Sequence, residues 1–185
     1  EAVDRVWYVN SLVRNSAPRS ANEALPDRES ILERFQFMLS AIGKVVAIAV
    51  RTQKNGPMRE MERAEASLGG GIAGDLPVRA ERGITLISRE QWDDAMRELN
   101  ADLPWHTRRA NVLVEGLRLS DLVGLVVKLG EVELHIHGET KPCGLMDKLY
   151  DGLQTALKPD MRGGVHGQVI YAGSFAVGDV VTIME

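Results

Sequence analysis

The sequence predicts a mainly β fold with flanking helices (α+β): a closed barrel of mixed or antiparallel strands, preceded by an N-terminal helical extension. Three observations lead there. From Lys44 onward the chain breaks into short β-branched segments punctuated by glycine, the texture of a barrel. Only two helical patterns interrupt those segments. Residues 1–43 differ in texture from everything that follows.

The extension opens with a short apolar run and continues through a polar stretch, Asn15 to Asp27, that carries Pro18 and Pro26. One amphipathic helix then follows. Ile31, Leu32, Phe35, Met38, Leu39 and Ile42 share a face, with Asp27 as its cap and Gly43 as its stop. Residues 1–43 therefore read as an extension docked on a body or on a partner subunit, and residues 44–185 as the barrel domain. The apolar helix face makes a homodimer an expected assembly. Strands are expected at Val45–Arg51, Ile84–Ile87, Asn111–Glu115, Gly124–Leu129, Glu131–His137, Gly167–Tyr171 and Val180–Met184, with a tight hairpin at Leu129-Gly130-Glu131. Ser88-Arg-Glu-Gln91 is a capping box, and Trp92, Ala95, Met96 and Leu99 line one face of the helix it opens. A second helix is expected from about Gly144 to Leu157, where Leu145, Leu149, Leu153 and Leu157 recur every fourth residue before Lys158-Pro159 ends it.

At 185 residues and 44% apolar content, the chain can pack one core without disulfides. A formal charge of −4 argues against nucleic acid or an anionic membrane as the main partner. No apolar run approaches the roughly 20 residues that span a bilayer, and the first residues lack the basic and long apolar regions of a signal peptide. With one cysteine, a cytoplasmic setting is the expectation.

That cysteine, Cys143, lies in the run His137-Gly-Glu-Thr-Lys-Pro-Cys-Gly-Leu-Met-Asp147, where a strand pattern gives way to a helical one. It cannot form an internal disulfide, so it is a small buried hydrophobe or a reactive thiol. Pro142 ahead of it places Cys143 in a first helical turn, where unpaired N–H groups favour a thiolate, and Lys141 adds positive charge. An anionic group beside it would need donors. Arg108, Arg109, Lys141, Arg162 and the Gly163-Gly164 backbone can supply them if the fold brings these segments together. Asn111 either contacts such a ligand or satisfies backbone at its strand start. His135 and His137 lie two apart on one strand and so share a face, but no tetrahedral ligand set accompanies them; as a proton partner of Cys143, His137 is the nearest in sequence. Asp75 and Asp179 each follow a glycine and read as turn devices. The Gly69-Gly70-Gly71 run lacks the lysine and hydroxyl residue of a phosphate loop. Trp7, Trp92 and Trp105 are too dispersed for a base-stacking surface.

Five segments form a joint pattern: Gly71-Ile-Ala-Gly-Asp75, Arg108-Arg-Ala-Asn-Val-Leu-Val-Glu-Gly116, Thr140-Lys-Pro-Cys143, Arg162-Gly-Gly-Val165 and Gly173-Ser-Phe-Ala-Val-Gly-Asp179. In this order and spacing, residues 44–185 resemble the MOSC domain, the module named for the C-terminal part of molybdenum cofactor sulfurases and found as stand-alone bacterial proteins. The resemblance implies a barrel whose cysteine, Cys143 here, accepts sulfur as a persulfide or touches a molybdenum–pterin cofactor. Arg108, Arg109, Asn111, Thr140, Lys141, Gly163 and Gly164 would form the surrounding cofactor pocket. In sulfurases a pyridoxal phosphate cysteine desulfurase domain mobilises the sulfur, and in the amidoxime-reducing relatives the equivalent cysteine coordinates molybdenum. These residues hold neither a desulfurase domain nor the extra N-terminal barrel of the reductases, so pyridoxal phosphate would enter through a partner desulfurase. The expected partners are that sulfur donor and a molybdoenzyme or other cofactor acceptor. Two rivals stand beside this reading: a non-catalytic cofactor- or protein-binding barrel in which Cys143 only packs, and a small molybdenum-dependent reductase.

Overall fold

In the computed structural model, residues 42–184 are described. The amphipathic helix expected before residue 42, and Trp7, lie outside the described residues. Ile42 and Gly43, read as that helix's last face residue and stop, belong instead to the first strand. Gly43 serves packing there, because a Cβ would stand 2.7 Å from Glu115 O and against the Leu117 side chain.

Among the described residues the strands are β1 (Ile42–Arg51), β2 (Met58–Met61), β3 (Arg63–Ala66), β4 (Ile84–Ser88), β5 (Val112–Glu115), β6 (Val126–Leu129), β7 (Val132–Glu139), β8 (Val165–Tyr171), β9 (Gly173–Ala176) and β10 (Val180–Met184). The helices are α1 (Arg89–Leu99), α2 (Leu145–Leu149) and α3 (Leu153–Ala156). Strand order β1-β5-β4-β8-β7-β6-β10 returns to β1, where Ile42–Lys44 pair with Thr182–Val180 and close a seven-stranded mixed barrel. β2 continues the same edge of β1, pairing from Ile48 to Arg51. β3 and β9 form a separate two-stranded sheet. Only β4 and β5 run parallel among these pairs, and α1 makes the crossover that parallel strands require.

All seven expected strands are present. β2, β3 and β9 were not foreseen, and their four-residue runs explain why: Met-Arg-Glu-Met, Arg-Ala-Glu-Ala and Gly-Ser-Phe-Ala lack a β-branched signature. The hairpin between β6 and β7 pairs Leu129 with Val132 and turns at Gly130, which has φ +55°.

The barrel wall separates two cores, and strand alternation builds both. Leu86, Val112, Val114, Leu134, Ile136, Val165 and Val169 point inward. Their neighbours Ile87 and Leu113 point outward, where Trp92, Met96, Met146 and Leu153 from the helices cover them. In β7 the same alternation leaves His135 and His137 on the outer face, their rings 4.7 Å apart.

α1 begins as expected, with Ser88 Oγ accepting from Gln91 N at 3.4 Å, and Asn100 ends it in the left-handed region. The box stays half closed, since the Gln91 side chain donates to Asp160 O instead. The second helix differs from its expected form. Tyr150 is extended and Gly152 has φ +82°, so the run breaks into α2 and α3. The leucines are consequently no single stripe: Leu153 and Leu157 are buried while Leu149 is exposed.

One buried ion pair locks β1 to the loop ahead of β4. Asp75 accepts from Arg51 N at 2.6 Å, from Arg51 Nε at 3.0 Å and Nη2 at 2.6 Å, and from Asn111 Nδ2 at 2.9 Å. Its side chain is 1% exposed. Asp75 is thus a long-range tie rather than a local turn device, whereas Asp179 does cap its own turn through Ala176 N at 2.8 Å. Burial alone would raise the Asp75 pKa, but the Arg51 and Asn111 hydrogen bonds outweigh it and lower the value. A carboxyl held below its unfolded pKa of about 3.9 stabilises in full above that pH and loses the contribution as pH falls through the lower folded value. Asp75→Ala is expected to cost about 2–4 kcal/mol in denaturant unfolding near neutral pH, and the deficit against wild type should shrink below about pH 4. A deficit independent of pH would refute the ion-pair account.

Candidate functional site

The neighbourhood of Cys143 is assembled from four segments that are distant in sequence. β7 ends at Glu139, Thr140–Cys143 leads into α2, Gly163-Gly164 leads into β8, and a one-turn helical segment, Trp105–Arg108, precedes β5. Pairing of β8 with both β7 and β4, and of β4 with β5, sets these segments side by side.

The Thr140–Cys143 stretch is pinned at nearly every residue. Thr140 N donates to Gly164 O at 2.8 Å, and Thr140 Oγ1 lies 3.2 Å from His166 Nδ1. Pro142 is buried and its carbonyl accepts from Gln154 Nε2 at 3.3 Å. Cys143 O accepts from Met146 N at 2.8 Å, and the residue is exposed. Cys143 stands one residue ahead of the α2 N-cap, Gly144, rather than within the first turn. α2 has five residues, so helix-dipole stabilisation of the sulfur is small.

The charge behind the loop comes from Arg108 instead. This residue is 6% exposed, and its Nη2 donates to Thr140 O at 2.6 Å. Its Nε is buried without a hydrogen-bond partner, and among the described residues no carboxylate forms an ion pair with it. Burial pulls the guanidinium down to about 10; the Cys143 sulfur, taken as thiolate, pulls it back up, Arg82 lowers it and Glu139 raises it. It remains charged at neutral pH. His166 is held below the ordinary histidine range by burial and by the charges of Arg82 and His137, against a hydrogen bond to the Glu139 backbone carbonyl that raises it.

Not every residue expected here converges. Arg109 follows Arg108 with φ +62°, and that left-handed turn sends it the other way, to Gly56 O beside Arg51 and Asp75. Asn111 is 2% exposed and serves the fold: Oδ1 accepts from Thr85 N at 3.1 Å and Nδ2 donates to Asp75. Arg162 pairs with Glu98 at 2.8 Å. The N–H groups of Gly163 and Gly164 are spent on Leu157 O and Met161 O, so neither is a free donor. These glycines matter for closeness. Gly164 has φ +98° and a Cβ on it would collide with Leu86 O, while a Cβ on Gly163 would stand 2.7 Å from Thr140 O and 2.9 Å from Pro142 Cδ. Lys141 is exposed next to the cysteine loop. His137 bonds Gln168 at 3.3 Å, and it is His166 that reaches Thr140. Among the described residues no three His, Cys, Asp or Glu side chains gather as a metal-ligand set.

Arg82 and Glu139 join the site without having been singled out in the sequence. Arg82 sits in a one-turn segment before β4, and only the β4–β8 pairing brings it near His166. A cavity of about 380 Å³ between β3 and the following loop touches Asp75 but includes none of the Cys143 group. Gly163→Ala is expected to displace Thr140–Pro142, costing about 1–3 kcal/mol and changing the rate at which a maleimide labels Cys143. Wild-type stability and labelling would show that the loop does not depend on this close approach.

The model of the MOSC domain family matches residues 68–182, more than half of the chain. No curated protein matches the chain. Among solved structures, the fold is similar to YuaD of Bacillus subtilis, with TM-score 0.67 and 18% identity over 77% of this chain and 95% of that one. It is also similar to YiiM of Escherichia coli, with TM-score 0.60 and 14% identity over 77% and 70% of the two chains. For YiiM of Geobacillus stearothermophilus the TM-score is 0.60 and the identity 15%, over 77% and 75%. At these identities the structures establish a shared fold, and the family match, with the closed barrel and the cysteine loop in place, identifies this chain as a member of the MOSC domain family.

Proposed function

We propose that this protein is a sulfur carrier in which Cys143 accepts a sulfur atom as a persulfide for metal–sulfur cofactor assembly. The observation that carries the reading is an exposed, sole thiol on the loop that a buried guanidinium holds through Thr140 O, a guanidinium that forms no ion pair among the described residues. A buried cation without an ion pair is costly, and a negatively charged sulfur at Cys143 relieves that cost further than the charge of Glu139 alone. A thiolate attacks a sulfane sulfur, the persulfide keeps the negative charge beside Arg108, and a later acceptor removes the outer atom. Exposure also speaks against the rival in which Cys143 only packs. The partners are a cysteine desulfurase or other donor on one side and a molybdoenzyme or cofactor acceptor on the other. Among the described residues no helix is long and apolar enough to cross a membrane.

A molybdenum–pterin cofactor is the second reading, favoured by the same exposed soft sulfur. The residues fit it in part. Cys143 offers a metal ligand, Lys141 is exposed two residues before it and the charge of Arg82 reaches Arg108 and His166, whereas Arg109, Asn111, Arg162 and the Gly163-Gly164 N–H groups are engaged within the fold. When bound, such a centre would supply two-electron redox chemistry at the metal.

Intact mass after incubation with a cysteine desulfurase and free cysteine, beside a Cys143→Ser control, tests the carrier. A gain of one sulfur atom, abolished by the substitution and by a reductant, is the expected result. No gain with a freely alkylated thiol refutes it and makes molybdenum and pterin content the next measurement.

A further inference from the structure

The environment of Cys143 carries more positive charge than a monoanionic persulfide needs. Arg108 is buried with an unpartnered Nε and holds the loop through Thr140 O, three residues before the cysteine. Arg82 precedes Gly83, where a Cβ would stand 3.3 Å from Gly167 O on β8, so it sits beside His166, the residue that reaches Thr140, and its charge acts on Arg108; Lys141 is exposed on the same loop as the sulfur. Glu139 is the one carboxylate whose charge reaches Arg108, no ion pair joins the two among the described residues, and it stands against the three cations Arg108, Arg82 and Lys141. An excess of positive charge is left for whatever sits at the sulfur. Guanidinium groups recognise oxyanions through forked hydrogen bonds, and an exposed thiolate recognises sulfur in the sulfane state.

We propose that the site takes its sulfur directly from a small sulfane oxyanion of the thiosulfate class, whose oxygens are held by Arg82 and the Arg108 edge of the site while its outer sulfur meets Cys143. The inference rests on the carrier reading and names its donor. Cys143 first gives its proton to solvent, to which it is exposed. The thiolate then forms a bond to the outer sulfur of thiosulfate as the sulfur–sulfur bond of the donor breaks. Sulfite leaves with the electron pair, so one thiolate and one dianion become one persulfide anion and one sulfite dianion. Cyanide regenerates the thiolate by carrying off the outer sulfur as thiocyanate.

The test incubates the full chain with thiosulfate, follows protein mass and released sulfite, and reads thiocyanate after cyanide addition. A parallel arm loads the protein from a cysteine desulfurase with free cysteine. The expected result is one sulfur gained and one sulfite released per chain, lost in Cys143→Ser. Arg82 has an exposed side chain, so Arg82→Ala should fold normally. It is expected to slow thiosulfate loading about tenfold or more, the loss of one charged hydrogen bond, while desulfurase loading persists. Arg108→Lys, which keeps the buried charge but loses the fork, should slow thiosulfate loading similarly. Loading from the desulfurase but not from thiosulfate overturns this inference and leaves the carrier intact. Loading from neither overturns both, and thiosulfate loading that Arg82→Ala leaves unchanged overturns the assigned donor site.

Discussion

A guanidinium stripped of water organises the cysteine face of this barrel. Arg108 is almost wholly buried, yet its single side-chain hydrogen bond among the described residues runs to a backbone carbonyl, Thr140 O. A buried charge ordinarily persists in a fold only when paired, because the desolvation cost otherwise exceeds what the surroundings return. Here the carbonyl dipole at Thr140 supplies part of that compensation, and the same contact fixes the loop that presents Cys143. The position of the thiol and the solvation of the cation are therefore one structural problem. Any negative charge that arrives at the sulfur improves both.

The neighbouring arginine shows the alternative solution. Arg109 departs in the opposite direction because its backbone enters the left-handed region, and it joins a group in which Asp75 already neutralises Arg51. That network is saturated: the Asp75 carboxylate accepts from the backbone and side chain of Arg51 and from Asn111, and Asn111 in turn satisfies Thr85 N. It has the character of a structural rivet. Two adjacent residues of one type thus end in different environments, Arg109 beside the Asp75–Arg51 pair and Arg108 buried behind the loop that carries the thiol. The contrast sets the two clusters apart more sharply than the composition of either.

Much of this was legible in the sequence, and the boundary of what was legible has physical causes. β-branched runs and glycine spacing revealed the strands that form the barrel wall, because those strands must bury one face. The four-residue strands β2, β3 and β9 gave no such signal, since pairing geometry rather than composition makes them strands. Ser88 announced α1 through its cap, but the leucine spacing from Leu145 to Leu157 concealed the break that Gly152 introduces. At the site, Cys143 and Thr140 were evident from their local run. The division of labour between Arg108 and Arg109 depends on one positive φ angle, and the arrival of Arg82 depends on β4 lying beside β8, neither of which a linear pattern encodes.

The broken helix itself belongs to the site. In a continuous helix, residues seven apart are separated by about 10.5 Å along the axis, so Gln154 would lie two turns beyond Asp147 and far from the loop that precedes the helix. The Gly152 turn folds α3 back. Asp147 Oδ1 then accepts from Gln154 N at 2.7 Å, and the Gln154 side chain reaches Pro142 O at 3.3 Å. The residue ahead of Cys143 is in this way held from one side by α3 and from the other by the close approach of Gly163. The sulfur thus stands on a backbone fixed on both flanks while remaining open to solvent, so its exposure requires no rearrangement of the barrel.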